Sequence, residues 1–122
     1  MNNLESLLGF GRASSSTRTG RQFDVTTIQS TWNKGLTVFG GRRVADPARW
    51  RFDACGALIA RAKYGDTDSN LGWEIDHMIP VSRGGVDDLW NLQPLQWQNN
   101  RKKGDGVFLD AAAYCEVQYS GH

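Results

Sequence analysis

The sequence predicts one small α+β domain, and three observations support this prediction. The chain has 122 residues, which suits a single domain with one core. Hydrophobic residues make up 39% of it and aromatic residues 11%, so most of the chain should fold. Short strand patterns and short helix patterns both occur, and no internal repeat is visible.

The N-terminal residues differ in composition from the rest. Residues 11–20 are small and polar, so they cannot bury enough surface to order themselves. The net charge of the chain is +1, but residues 1–51 carry eight basic and three acidic side chains, hence +5, and the remainder carries −4. We predict a flexible basic arm over residues 1–21 and a folded domain over residues 22–122. Deleting the arm should weaken binding to a polyanion and leave any chemistry intact.

A helix is expected directly after the arm. Asp24 suits the N-cap, the helix should run to about Asn33, and Gly35 should end it. Its apolar residues are spaced i, i+3 and i+7. This spacing predicts a core-facing stripe of Val25, Ile28 and Trp32.

The other elements follow from turn residues and alternation. Asp46 and Pro47 predict a capped turn or short helix to about Phe52. Periodicity leaves residues 55–62 open between a buried strand and a helical turn, and the strand is favoured. Trp73–His77 alternates apolar and polar residues, which predicts a further strand. After a loop we expect an extended segment over residues 92–95 and a helix over residues 96–103. Residues 106–122 should pack on the domain as a final helix or strand.

His77 is the histidine best placed for catalysis. The other histidine, His122, is the last residue given. A lone histidine is most often structural, so its neighbours decide its interpretation. Asp76 precedes it, a glycine pair follows, and a group of amides and cations comes next: Asn91, Asn99, Asn100, Arg101, Lys102 and Lys103.

The stretch from Asp76 to Asp105 resembles the HNH endonucleases, whose fold is the ββα-metal or His-Me finger. The resemblance rests on the Asp-His pair, the glycine pair, a step of fourteen residues from His77 to Asn91 and a further step of nine to Asn100. Upstream residues are similar to small stand-alone bacterial and phage members. The resemblance implies a ββα core over about residues 71–104, in the H-N-N variant of the family.

The resemblance also implies roles for single residues. The family's first histidine is the general base, its middle asparagine steadies the loop that aims the base, and its third signature residue binds metal; these are His77, Asn91 and Asn100. Asp76 corresponds to an acidic metal ligand of many members. Many relatives bind structural zinc through C-x-x-C pairs. The matching positions here are Gln96 and Asn99, so no structural zinc is expected.

Elementary chemistry agrees with these roles. Phosphodiester hydrolysis needs an activated water and a cation near the developing negative charge. Asp76 and Asn100 offer oxygen donors, which favour Mg²⁺ or Mn²⁺, and a neutral His77 can take a proton from water. Asn100 and Lys103 would share one helix face, so Lys103 is expected to clamp the scissile phosphate. Asp76 and His77 would point to opposite sides of a regular strand, so the strand should end or twist at His77.

The expected activity is that of a metal-dependent endonuclease on double-stranded DNA, with 5′-phosphate and 3′-hydroxyl ends implied by the resemblance. One site cuts one strand, so a homodimer or a larger nuclease or phage assembly also fits. Two alternatives stay open: a non-catalytic DNA-binding module, and an RNase or toxin nuclease. Expected phosphate contacts are Arg83, Arg101 and Lys102 near the site, with Arg42, Arg43, Arg49, Arg51 and the arm, Arg12 to Arg21, adding salt-sensitive affinity.

The remaining features have ordinary interpretations. Trp90 and Trp97 are expected in the core. Glu74 alternates onto the strand face of Asp76, so two interpretations stay open: a residue that shapes the metal site and, the favoured one, a surface carboxylate. Cys55 and Cys115 are too few for a cysteine zinc site and make no disulfide framework. No apolar run approaches the roughly 20 residues that cross a bilayer, and the first residues lack the pattern of a secretory signal. We therefore expect no membrane partner and a cytoplasmic location, for a chain of bacterial or phage origin.

Overall fold

The computed structural model describes residues 15–106 and 113–118. Within them the strands pair as three antiparallel hairpins, β1 with β2, β3 with β4 and β5 with β6. This arrangement confirms the predicted small α+β domain. In chain order the elements are α1 (Val25–Trp32), β1 (Val38–Phe39), β2 (Arg42–Arg43), β3 (Trp50–Phe52), β4 (Leu58–Ala60), β5 (Trp73–His77), β6 (Leu92–Gln96) and α2 (Trp97–Lys103), with single 3-10 turns at Arg61–Lys63, Val81–Arg83 and Leu89–Asn91.

Helix α1 begins where the sequence predicts. The carboxylate of Asp24 accepts a hydrogen bond from the backbone N–H of Thr27 at 2.7 Å, which confirms the N-cap. Hydrogen bonds from the side chain and then the backbone of Thr27 lower the pKa of Asp24. Trp32 is fully buried and Ile28 packs against the core. The core prediction for Val25 is wrong, because this side chain is 76% exposed. It lies in the first turn of the helix and faces away from the core that Phe23 and Trp32 enter.

Hairpin β5–β6 has an apolar cluster on each face. Paired residues of an antiparallel hairpin share a face, so Trp73, Ile75 and Leu92 lie on one side and Leu95 on the other. The first side packs against α1 and strand β4 in a cluster completed by Phe23, Trp32 and Ile59. The second side packs against Cys55 and Tyr114. The hairpin is thus the central layer, and residues on its two faces meet different surroundings.

Two turn regions differ in part from their predictions. Asp46 caps a turn by accepting a hydrogen bond from Ala48, but the chain is already in strand β3 at Trp50. The predicted strand in residues 55–62 is confirmed as β4. The two cysteines were expected to make no disulfide framework, and the fold joins Cys55 to Cys115 in a single disulfide. The pairing depends on how the C-terminal segment returns to the turn between β3 and β4, which the sequence does not show.

The structure describes only part of each end of the chain. Residues 1–14 of the predicted arm lie outside the described residues, whereas residues 15–21 form a turn hydrogen-bonded to the domain. Of the predicted final element, residues 107–112 and 119–122 lie outside the described residues too, and residues 113–118 contain neither an α-helix nor a strand.

Two further expectations concern exposure and membranes. The core prediction for Trp90 is wrong, since its side chain is 60% exposed on a 3-10 turn, while Trp97 is half-buried. Among the described residues, no helix has the length and apolar character that a membrane crossing requires.

Candidate active site

Asp76 and His77 occupy the last two positions of β5. Asp76 pairs with Gln93 and His77 pairs with Leu92, so the two neighbours lie on opposite faces of the hairpin. The strand ends at His77, as predicted, and the next backbone N–H, of Met78, donates to the carbonyl of Asn91 at 2.8 Å. Both side chains therefore lie at the same end of the hairpin, one on each face.

Asp76 is buried among polar side chains between the hairpin and α2. The ammonium of Lys103 donates to Asp76 Oδ1 at 3.1 Å and to the carbonyl of His77 at 3.0 Å, and Gln93 Nε2 donates to Asp76 Oδ2 at 2.9 Å. Burial raises the pKa of the Asp76 carboxyl, and the positive charge of Lys103 partly offsets this. The side chains of Asp76 and Lys103 are 5% and 2% exposed. Lys103 was expected as a phosphate clamp, and here it is the cation that neutralises Asp76.

His77 is held from the other face. Its Nε2 atom lies 2.8 Å from Oδ1 of Asp87, and its ring packs against Phe23 with 5.9 Å between ring centroids. The same carboxylate accepts hydrogen bonds from the backbone N–H of Arg18, at 2.9 and 3.2 Å. The imidazole is therefore buried, paired and fixed in orientation.

Asn91 braces the loop between β5 and β6. Its side-chain oxygen accepts from the N–H of Ile79 at 2.8 Å, and its Nδ2 atom donates to the carbonyls of Ile79 and Val86 at 3.0 and 2.9 Å. The glycine pair has a steric role: Gly84 has φ +88°, and a Cβ on Gly85 would lie 1.7 Å from the Ile79 carbonyl oxygen. The loop is thus tightly specified around the asparagine that the resemblance singles out.

Lys34 supports the same loop from α1. Its ammonium donates to the carbonyls of Leu89 and Leu92, on either side of Asn91. Burial lowers the pKa of this lysine. The end of α1 is therefore tied to the segment that carries Asn91.

Asn100 faces Glu74 and not Asp76 in this structure. Its Nδ2 atom donates to Glu74 Oε1 at 3.0 Å, and Arg101 forms a salt bridge with Glu74 Oε2 at 2.9 Å. The expectation of a surface carboxylate at Glu74 is wrong, because this residue is only 4% exposed. Alternation along β5 puts Glu74 on the face of Asp76, which α2 covers.

The donor chemistry of this face suits a hard divalent cation. Asn100 donates through its nitrogen, so its side-chain oxygen points away from Glu74 and is the atom that can bind a cation. Asp76 supplies carboxylate oxygens, and oxygen donors are the ligands that Mg²⁺ and Mn²⁺ prefer. No set of three or more His, Cys, Asp or Glu side chains in the described ranges is placed to hold a metal ion. Asp76 and Asn100 thus fit the cation in chemistry, with the ammonium of Lys103 next to the carboxylate.

Asp53 joins the positions where relatives carry zinc cysteines. Its Oδ2 atom accepts from Gln96 N at 2.9 Å and from Asn99 Nδ2 at 3.0 Å. Its Oδ1 atom accepts from the N–H groups of Cys55 and Ala57, both at 2.9 Å. A buried carboxylate therefore links the turn after β3 to the start of α2. Burial raises the pKa of Asp53, and its four hydrogen bonds act in the opposite direction.

The expected phosphate contacts are not equivalent. Lys102 is exposed at the end of α2, and Arg83 reaches the same end by donating to the Asp105 carbonyl at 3.2 Å. Arg42 and Arg43 are exposed on β2, at a groove of about 530 Å³ lined also by Trp50 and Phe52. Arg51 instead donates to three backbone carbonyls, those of Asn33, Gly35 and Pro47, so its guanidinium is engaged within the fold.

Three contacts of this site were not predicted from the sequence. Asp87 lies ten residues after His77 with no helical or strand spacing to it, and the backbone of Arg18 lies outside any motif. Gln93 could have been found, because it faces Asp76 once β5 and β6 are paired. Partners reached through loops leave no periodic signal in a sequence.

Hairpin β5–β6 is followed by α2, which packs on one of its faces, so the three elements form a ββα unit. An Asp-His pair lies at the end of the first strand of this unit. This is the class of fold found in His-Me finger nucleases. Residues 59–106 match the model of the HNH endonuclease family. The chain therefore contains an HNH endonuclease domain. The family implies a nuclease acting on nucleic acid by phosphodiester hydrolysis, generally with a divalent metal. No significant match exists among curated proteins or among solved structures.

Proposed function

We propose that this protein is a metal-dependent DNA endonuclease that uses His77 as its general base. The observation that carries the proposal is the ββα unit within the family match, with Asp76 and His77 at the strand end and Asn91 bracing the loop behind them. Each residue supplies a function that hydrolysis of a phosphodiester requires.

His77 would take the proton of the attacking water. Its Nε2 atom is engaged by Asp87, so Nδ1 is the nitrogen left to accept a proton. The water oxygen then forms a bond to phosphorus, the bond from phosphorus to the 3′ oxygen breaks, and the leaving oxygen takes a proton from solvent. This step gives 5′-phosphate and 3′-hydroxyl ends.

The negative charge that develops on the phosphate would be stabilised through Asp76, Asn100 and Lys103. Asp76 and Asn100 would hold Mg²⁺ or Mn²⁺, which when bound supplies positive charge for the phosphate and the leaving oxygen. Lys103 shares Asp76 at 3.1 Å, so it can turn from the carboxylate to a phosphate oxygen when a divalent cation is present. Asn91 acts at a distance by keeping the loop and the backbone after His77 in place.

DNA is the proposed substrate because exposed cations lie next to the site. Lys102 is exposed next to Lys103 in the last turn of α2, Arg83 donates to the carbonyl of Asp105 just after that helix, and Arg101 keeps half of its side chain exposed. Such contacts fix the backbone without reading the sequence. Arg42 and Arg43 are two further exposed cations, on β2.

The test is cleavage of supercoiled plasmid with Mg²⁺ or Mn²⁺, with and without EDTA. We expect His77→Ala to abolish cleavage and Asn100→Ala to raise the metal concentration needed, while His122→Ala, the matched histidine control, stays active. Cleavage by His77→Ala, or cleavage in EDTA, would contradict the mechanism.

Parallel substrates separate the alternatives. Duplex DNA, single-stranded DNA and RNA of one sequence are compared at equal concentration. Binding to duplex DNA without cleavage in any metal would favour the non-catalytic module, and preferential cleavage of RNA would favour an RNase or toxin nuclease.

A further inference from the structure

One carboxylate connects His77 to a segment far from it in the sequence. Asp87 Oδ1 lies 2.8 Å from His77 Nε2, and both oxygens of Asp87 accept from the backbone N–H of Arg18, at 2.9 and 3.2 Å. The side chain of Asp87 is 34% exposed, whereas that of His77 is 4% exposed. The contact thus lies at the edge of the buried site and not on open surface.

The segment that carries Arg18 is an ordered turn. The N–H of Thr17 donates to the carbonyl of Arg21 at 2.8 Å, and the N–H of Gly20 donates to the carbonyl of Thr17 at 2.8 Å. The turn is also attached to strand β5, because the Ile75 N–H donates to Ser15 Oγ at 2.8 Å. Residues 15–21 are therefore fixed both to the strand of His77 and to the carboxylate beside it.

An imidazole bonded to a carboxylate has a defined tautomer. The carboxylate can only accept, so the proton of a neutral His77 lies on Nε2, and Nδ1 keeps its lone pair. After Nδ1 takes a proton, the same carboxylate stabilises the imidazolium. A carboxylate that rotated away from His77 would neither fix the tautomer nor stabilise the imidazolium. The hydrogen bond from the N–H of Arg18 prevents this rotation of Asp87.

We propose that Asp87 is the positioning residue of His77 and that the turn of residues 15–21 holds Asp87 in place, so this turn belongs to the catalytic apparatus. The proposal rests on the proposed function of His77 as general base. It also changes the expected effect of deleting residues 1–21, which now removes the N–H that fixes Asp87 and should slow the chemistry.

The first experiment reads the tautomer of His77 by ¹⁵N NMR of the imidazoles in the full chain. Only two histidines contribute, and His122→Ala assigns them. We expect His77 to carry its neutral proton on Nε2, and Asp87→Ala to give a mixture of tautomers. A proton on Nδ1, or a spectrum unchanged by Asp87→Ala, would overturn the proposal whether or not the protein cuts DNA.

The second experiment measures kcat and KM on plasmid for matched variants. Asp87→Ala should lower kcat by about 100-fold, part of the contribution of a general base, with KM within about twofold. Asp87→Asn keeps an acceptor for both donors, so it should recover part of the loss. Asp88→Ala is the control, because the neighbouring carboxylate is exposed and makes no cap hydrogen bond. Equal kcat for Asp87→Ala and Asp88→Ala would refute the role of Asp87.

Two deletions test the turn. Removing residues 1–14 should leave the Nε2 tautomer of His77 unchanged, whereas removing residues 1–21 should give the mixture seen in Asp87→Ala and a matching loss in kcat. Arg18→Pro provides a version that does not shorten the chain, since proline is favoured at the second position of a turn and lacks the N–H. Full kcat in both Arg18→Pro and the longer deletion would exclude the turn. Loss of activity in Asp87→Ala together with full activity in His77→Ala would instead contradict the proposed function.

Discussion

Asn91 has all three of its observed side-chain hydrogen bonds directed to the loop that follows His77. Asn91→Asp keeps the acceptor for Ile79 N–H but places a carboxylate oxygen against two carbonyls. We expect a loss of about 3 kcal/mol in the free energy of unfolding and a nuclease without measurable activity. Urea denaturation checks the stability, with Asn70→Asp, at an exposed position, as control. A loss below about 0.5 kcal/mol would show that the loop does not depend on this amide.

Asp76 should leave a pH signature in stability. Burial raises the pKa of Asp76 in the folded state above the usual 3.8. At pH values between 3.8 and this raised pKa, the folded state binds more protons than the unfolded state. The free energy of unfolding contributed by this group therefore falls as the pH rises through that interval and is constant above it. Unfolding measured from pH 3.5 upward should show the stability of the wild type declining relative to Asp76→Asn. An opposite slope would mean that the charge of Lys103 lowers the pKa of Asp76 by more than burial raises it.

Residues close in sequence were predictable and their distant partners were not. Trp73–His77 alternates and contains the Asp-His pair, so the strand and the opposition of the two side chains follow from the amino-acid order alone. Asp53 gave no such signal, because its partners at residues 96 and 99 are reached only through the fold. The core predictions for Val25 and Trp90 were wrong for a related reason. Residue spacing shows which side of an element a side chain faces, but not how far along the element the core extends.

At the scale of elements, Asp53 is the link between hairpin β3–β4 and helix α2. Asp53→Ala removes the acceptor of four N–H groups, so we expect the free energy of unfolding to fall by about 3 kcal/mol or more. Asp68→Ala, at an exposed turn position, is the matched control. Equal melting temperatures for the two variants would show that the link is dispensable.

The same link predicts how the fold responds to chelation. Since hydrogen bonds to Asp53 hold the start of α2, where no structural zinc is expected, dialysis against EDTA should leave the melting temperature unchanged within about 1 °C, while cleavage stops. Adding Mg²⁺ should then restore cleavage without a refolding step. A melting temperature that falls on chelation would reveal a structural metal.

At the scale of the whole molecule, the disulfide makes stability depend on redox conditions. Closing a loop with a sequence separation of 60 residues corresponds to about 4 kcal/mol of stabilisation. Dithiothreitol should therefore lower the stability of the wild type and leave Cys55→Ser/Cys115→Ser unaffected. An equal response of both proteins would show that the bond is not formed in solution. The predicted cytoplasmic location remains a prediction, and a disulfide of this kind is more typical of oxidising compartments.

The uneven distribution of basic and acidic side chains along the chain should affect the salt dependence of DNA binding. Lys102→Ala removes one proposed phosphate contact, so the slope of log affinity against log salt should fall by about one. Lys63→Ala is the control, since this lysine pairs with Asp66 at 3.8 Å. Identical slopes for the two variants would exclude Lys102 from the interface.

The bond between Cys55 and Cys115 also changes the covalent topology of the chain. It closes a ring that contains Asp76, His77, Asn91 and Lys103, together with Asp87. Arg18 lies outside this ring, so a cut between it and Cys55 would separate it covalently from the other residues of the site. A single proteolytic cut in an exposed loop of the ring, for example within residues 65–70, would instead leave both fragments joined. Protein nicked there should therefore run as one band without reductant and as two with it.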